Sequence, residues 1–161
     1  SIYPHKNHLL LSNIPNSFFE SGHSVLLTCD SSQLSYLSHK KFEFFGSLSL
    51  DDIHYCYLNS DILIFPSLDE SYGLPLIEAM QFGLPIVVPD LPYARSLCGD
   101  FGFYFSPKST QSFINAINTA IKFVESGSTM DYSHVLFDVP RNWDEVANTL
   151  IKLTLKSEDN E

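Results

Sequence analysis

The most constraining stretch is an apolar run, Asp61-Ile62-Leu63-Ile64-Phe65-Pro66-Ser67. A polar loop containing glycine follows it, Asp69-Glu70-Ser71-Tyr72-Gly73, and then Leu74-Pro75-Leu76-Ile77-Glu78-Ala79-Met80. A short continuous apolar run rich in β-branched residues reads as a buried strand. Proline is favoured at the start of a helix because its missing N–H would have had no partner there, so a helix is predicted from about Pro75 to Phe82, stopped by Gly83. A second buried strand, Pro85-Ile86-Val87-Val88-Pro89, follows directly. Strand, polar loop, helix and strand make one βαβ unit, and ligands of open α/β sheets bind outside the carboxyl ends of such strands. Glu70 lies just past that end of the first strand, and Glu78 about one turn into the helix.

The same alternation runs through more than half of the chain. Pro4-His5-Lys6-Asn7 reads as a loop entering a helix over His8 to about Glu20, interrupted by Pro15 and stopped by Gly22. Ser24–Cys29 reads as a strand, Gln33–Ser38 as a helical turn, and Phe42–Phe45 as a strand ending at Gly46. Ser49 caps a helix running to about Asn59, with Asp51 and Asp52 in the first turn, where the helix dipole favours negative charge, and with Ile53, Tyr57 and Leu58 inward. A short helix near Tyr93–Leu97 and a strand at Gly102–Phe105 follow. Ser109 to Ser126 carries an apolar stripe of Phe113, Ile114, Ile117, Ala120, Ile121 and Val124. A last helix is expected from about Asn142 to Lys156, burying Trp143, Val146, Ala147, Leu150, Ile151 and Leu153, with residues 157–161 as a frayed tail. The pattern predicts a single α/β domain over residues 1–156, a Rossmann-like doubly wound parallel sheet with helices on both faces. The abrupt start, without an initiator Met, suggests a piece of a longer protein.

Charge narrows the function classes. With 9 basic against 19 acidic side chains the formal net charge is −10, a poor match to the basic footprint that binding the phosphate backbone of nucleic acid requires. It also disfavours a broad contact with anionic lipid. Cys29, Cys56 and Cys98 are far apart and show neither a CxxC nor a Cys/His metal spacing, so they read as reduced, buried thiols of a cytoplasmic protein. No Asp-x-Asp occurs, so a metal-held diphosphate is not expected. No apolar run approaches the roughly 18 residues of a membrane span.

Glu70 and Glu78 carry the chemistry of the central turn. Ionised carboxylates only accept hydrogen bonds and can take two hydroxyls at once, which suits vicinal diols. The amides near Gly73 and Leu74 open a helix and form a positive locus for phosphate or a developing oxyanion. Taken alone, two glutamates are most often solvated surface residues, and so is a lone lysine such as Lys6. For Lys6, a place at a loop-to-helix junction facing the same crevice favours a ligand role, as a point charge for phosphate. His5 is left open between capping the helix and touching ligand. The remaining histidines show no metal spacing.

The segments Ser60–Ser67 and Glu70–Met80 together closely resemble the signature of glycosyltransferase family 4. So do Gly83–Val88, Asp90-Leu91-Pro92, Gly99-Asp100 and Phe105-Ser106-Pro107, with Pro4–Asn7 and Phe44-Phe45-Gly46 upstream. The resemblance spans roughly residues 3 to 156. It implies the GT-B fold, of which this chain looks like the C-terminal, nucleotide-sugar-binding half, the N-terminal acceptor domain not being contained in it. It implies a retaining, metal-independent transfer. Glu78 would hold the ribose, Glu70 the hydroxyls of the transferred sugar and Lys6 the diphosphate. Ser71, Tyr72, Gly73 and Leu74 would meet sugar and diphosphate, and Gly46, Ser47 and Leu48 would line the base site. Many family members carry an Arg several residues before the lysine, a position ahead of Ser1. The implied donor is a GDP- or UDP-linked sugar acting as co-substrate without a further cofactor, and the acceptor a polysaccharide or glycolipid. The enzyme is expected in the cytoplasm, with peripheral membrane contact through the full-length protein.

Two other classes compete. A nicotinamide dehydrogenase would want G-x-G-x-x-G after its first strand, and no such pattern occurs. A non-catalytic module of the same fold, binding a nucleotide sugar or a partner protein, would share every residue named above.

Overall fold

In the computed structural model, residues 3–37 and 41–137 are described. The chain begins with two 3₁₀ turns, Pro4–Lys6 and His8–Asn13, separated by Asn7 in the left-handed region at φ 52°. Helix α1 (Asn16–Glu20) follows Pro15. The predicted helix from His8 is therefore two short pieces. Pro15 lacks the N–H a continuous helix needs, and the backbone reversal at Asn7 sets the first piece apart from Pro4–Lys6.

Strand β1 (Val25–Leu27) pairs in parallel with β2 (Phe42–Phe44), Val25 opposite Phe42. Helix α2 (Leu50–Leu58) opens with a capping box. The Ser49 side chain accepts from the Asp52 amide, and the Asp52 carboxylate accepts from the Ser49 amide. Strand β3 (Leu63–Ile64), helix α3 (Leu74–Gln81), strand β4 (Ile86–Pro89), helix α4 (Pro92–Cys98), strand β5 (Gly102–Phe105), helix α5 (Thr110–Glu125) and helix α6 (Ser133–Phe137) complete the described order. β3, β4 and β5 form a second parallel ladder in that order, Leu63 opposite Ile86 and Ile86 opposite Gly102.

The expected single sheet is thus two parallel ladders, β1–β2 and β3–β4–β5. In a parallel pair, alternate residues turn both backbone groups to the same neighbour. Phe45 donates to the Leu27 carbonyl, and Leu63 and Phe65 donate to Pro85 and Val87. Leu26 and Ile64 therefore point their backbone groups away from these partners, along the edges where each ladder stops.

Alternation of side chains divides the core in two and puts helices on both faces. Val87 and Phe105 pack with Phe113, Ala116, Ile117 and Ala120 of α5, with Leu11 and Ile14, and with Val25, Leu27 and Phe42 of the other ladder. Ile86 and Val88 turn to the opposite face, against Leu76, Ala79 and Met80 of α3, Ala94 and Cys98 of α4, and Tyr132. Every residue of β4 is buried, so neither face of that strand tolerates a polar side chain. Both ladders thus contribute to the first of these two clusters. Leu58 departs from expectation. It is 70% exposed, because α2 only partly buries a narrow stripe around Ile53 and Tyr57, and position 58 lies about 100° around the helix from Tyr57. The helix expected over Asn142–Lys156 and the tail at 157–161 lie outside the described residues.

Candidate functional site

The site is built at the carboxyl end of β3. Beyond Phe65, which makes the last of the ladder's bonds to β4, the chain leaves the ladder at Pro66. It turns through Ser67, Leu68 and Asp69 to Glu70, and three bonds hold that turn. The Leu68 amide donates to the His5 carbonyl at 2.6 Å, the Tyr93 hydroxyl donates to the Ser67 carbonyl at 2.5 Å, and the Ser67 hydroxyl donates to the Asp69 carbonyl at 3.0 Å. The first of these bonds brings the amino-terminal turn, with Lys6, to the edge of β3. Lys6 then forms an ion pair with Glu70, and its ammonium lies 5.4 Å from the centre of the Phe65 ring. Lys6 and Glu70 side chains are 22% and 13% exposed, so most of the pair's surface is withdrawn from water.

Gly73 is the hinge of the turn. It sits at φ 62°, ψ 38° as N-cap of α3, a conformation that costs a residue with a side chain. A Cβ there would also come within 2.7 Å of a Leu97 methyl. Glycine thus satisfies both the left-handed turn and the close approach of α4. The helix begins at Leu74, one residue before the predicted start, with Pro75 second. Among the described residues, the Gly73 and Leu74 amides donate to no protein acceptor. They are the donors that helix geometry leaves open at an amino end.

Glu78, one turn into α3, is half-buried and accepts a 2.9 Å hydrogen bond from the Tyr57 hydroxyl through Oε2. Burial, together with the hydrogen bond and negative charge of Glu78, pushes the Tyr57 phenol far up, so it stays a donor. The Tyr93 phenol is pushed up as well, by burial first and by the charges of Glu70, Cys98 and Asp69 after it. Ser71 and Tyr72 project from the same loop, Tyr72 with 77% of its surface exposed. Gly46 turns at φ 70° after β2, its amide donating to Cys29 at 3.2 Å, and leads through Ser47 and Leu48 into α2. The residues named in advance fall in two places. Lys6 and Glu70 are in contact, Ser71 and Tyr72 follow in the same loop, Gly73 and Leu74 open the helix that carries Glu78, and Gly46, Ser47 and Leu48 lie apart from these in sequence, in the loop between β2 and α2.

Two participants went unrecognised in the sequence, and a third, His5, takes part in a way its side chain did not suggest. Tyr57 reads there as core, although a buried tyrosine hydroxyl usually needs a partner, and that requirement was the available signal. Tyr93 gives the same signal. His5 contributes its backbone carbonyl, which no pattern of side chains reveals. Its ring stacks on Tyr3 at 5.6 Å and makes no capping bond. Among the described residues no three His, Cys, Asp or Glu side chains gather in a way that could hold a metal ion, and none of the described helices is long and apolar enough to cross a membrane.

In chemical terms the edge offers one ammonium and two open amides to an anion, and two carboxylates to hydroxyl donors. Known proteins have chains similar to this one. The O-antigen chain mannosyltransferase RfbU of Salmonella typhimurium is 25% identical over 125 residues, covering 71% of this chain and 35% of that protein. The serotype-specific mannosyltransferase WbdA of Escherichia coli is 28% identical over 109 residues, 68% of this chain and 13% of that protein. This chain therefore spans about a third or less of the length of these relatives. Among solved structures, a glycosyltransferase from Rickettsia africae superposes with a TM-score of 0.72 at 18% identity, over 98% of this chain and 46% of that one. HepE of Anabaena, solved in complex with UDP, superposes at 0.67 with 24% identity, over 96% of this chain and 46% of that one. These likenesses establish the α/β fold. The sequence profile described as "Glycosyl transferases group 1" matches residues 29–133, well over half of the chain, and the chain belongs to that glycosyltransferase family.

Proposed function

We propose that this chain is the nucleotide-sugar-binding domain of a retaining, metal-independent hexosyltransferase, the C-terminal half of a GT-B enzyme in glycosyltransferase family 4. The observation that carries the reading is the contact of Lys6 with Glu70 in the loop that leads from β3 into α3, the helix that opens on the free amides of Gly73 and Leu74 and carries Glu78 one turn further on. Lys6 and the helix amino end meet the diphosphate and stabilise it as it leaves, while positive character grows on the anomeric carbon. Glu70 takes sugar hydroxyls and Glu78 takes the ribose. Gly46, Ser47 and Leu48 line the base. The carboxylates orient the donor rather than act as an acid and nucleophile pair of the hydrolase kind.

The donor is a GDP- or UDP-linked sugar, used as co-substrate with no separate cofactor. The mannosyltransferase relatives support a hexose, and the complex of HepE with UDP-glucose supports a nucleotide sugar. The O-antigen relatives support an acceptor on a surface polysaccharide or glycolipid. Residues 1–156 form the donor domain, and the acceptor domain belongs to the rest of a longer, cytoplasmic protein that reaches the membrane peripherally.

Calorimetric titration of the chain with GDP, UDP, GDP-mannose and UDP-glucose tests the reading. Weak saturable binding of at least one nucleotide, with no sugar transfer by the chain alone, is expected. No heat with any of the four, or turnover without the acceptor domain, overturns it.

A further inference from the structure

We infer that Tyr57 is a positioning residue for the ribose-binding carboxylate, fixing Glu78 so that both of its oxygens face a vicinal diol. The inference rests on the proposed ribose role of Glu78. Tyr57 lies near the end of α2, and its ring stacks on Phe82 with centroids 5.4 Å apart and planes inclined by 15°. Phe82 is the C-cap of α3, so the tyrosine is seated against the helix that carries Glu78. From that seat the hydroxyl reaches Glu78 Oε2 at 2.9 Å, with the Pro75 carbonyl next nearest at 3.4 Å. A phenol has one proton to donate. The shorter contact, to an ionised acceptor, is the one that receives it.

The geometry has a specific consequence. A carboxylate has about four acceptor sites on its two oxygens. Tyr57 occupies one of them on Oε2, which leaves sites on both oxygens and fixes the plane in which they lie. The glutamate side chain has three rotatable bonds, and holding it before the ligand arrives removes an ordering cost from binding. Tyr57 thereby acts on the affinity for hydroxyls of the ribose, and not on the phosphate or the base.

Nucleotide pairs that differ only at the ribose read this effect. The chain and its Tyr57→Phe variant, which keeps the ring stack, are titrated with UDP and 2′-deoxy-UDP, and with GDP and 2′-deoxy-GDP. The unchanged chain is expected to prefer the ribonucleotide of the pair it binds. Tyr57→Phe is expected to narrow that preference about fivefold, the scale of one ordinary lost hydrogen bond. In the Glu78→Ala background the same substitution is expected to change nothing further. A Tyr57→Phe variant that weakens both members of a pair alike, with its preference intact, gives Tyr57 a structural role only and overturns the inference. An unchanged chain that binds both members equally overturns the ribose role of Glu78 itself.

Discussion

The ammonium of Lys6 is paired with the carboxylate of Glu70, 64 residues further along the chain, over the face of Phe65. The contact exists because the Leu68 amide binds the His5 carbonyl and so fastens the amino-terminal turn to the end of β3. It joins the cation proposed for phosphate to the carboxylate proposed for sugar, and a donor must draw both groups toward itself as it enters.

That pairing predicts coupled effects on stability. Lys6→Met and Glu70→Gln each leave a half-buried group without its partner, and each is expected to destabilise the chain by about 1–2 kcal/mol, between the values for exposed and fully buried pairs. The double variant is expected to lose less than the sum of the two. Urea unfolding of the four proteins measures the coupling, and strict additivity would show that the two groups do not interact.

Gly73→Ala is expected to cost about 1–2 kcal/mol, chiefly from left-handed strain, with a smaller part from turning aside the Leu97 methyl that a Cβ would approach at 2.7 Å. Gly127→Ala meets no atom within 4 Å although its φ is 72°, and is expected to cost about 1 kcal/mol. The difference between the two unfolding free energies isolates the contact between the turn and α4.

Much of this was readable from the residues. β4 and β5 are visible because buried parallel strands are continuous apolar runs, and α5 because a sixteen-residue helix repeats its stripe often enough to be unmistakable. Ser49 and Ser109 both cap where helix chemistry places them. Other features were hidden for physical reasons. A 3₁₀ turn such as His8–Asn13 has apolar spacing close to that of an α-helix, and the left-handed Asn7 carries no side-chain pattern. α2 is too short for periodicity to separate the buried Tyr57 edge from the exposed Leu58. The Tyr57 to Glu78 bond joins residues 21 apart through tertiary packing alone.

Acid is expected to weaken the fold in two stages. Burial, with the positive charges of the N-terminus and Lys6, lowers the pKa of His8, whose Nδ1 is buried without a partner among the described residues. Hydrogen bonds from Ser49, Arg95 and Ser133 hold the carboxyls of Asp52, Asp90 and Asp131 below the ordinary carboxylate range. In each case the folded pKa is depressed, so the stabilisation is present above the unfolded pKa and is lost as pH falls through the folded one. The denaturation midpoint is expected to drop first below about pH 6.5 and again below about pH 4. His8→Gln should remove the first decline and leave the second.

Cys98 is buried against α3 and Tyr132, and burial pushes its thiol up to about 12. It is expected to resist a thiol reagent at pH 8 in the folded chain and to react only on unfolding, since the thiolate is the reactive form. Mass spectrometry after labelling, with and without urea, reads the result by residue.

The central claim is that Glu78 grips the nucleotide. Calorimetric titration of the unchanged chain, Glu78→Ala and Glu43→Ala with UDP and GDP tests it most directly. Glu43 lies on β2 and is exposed. Loss of about tenfold or more in affinity at Glu78→Ala, with Glu43→Ala unchanged, is the predicted result. Equal affinities in the two variants would contradict it.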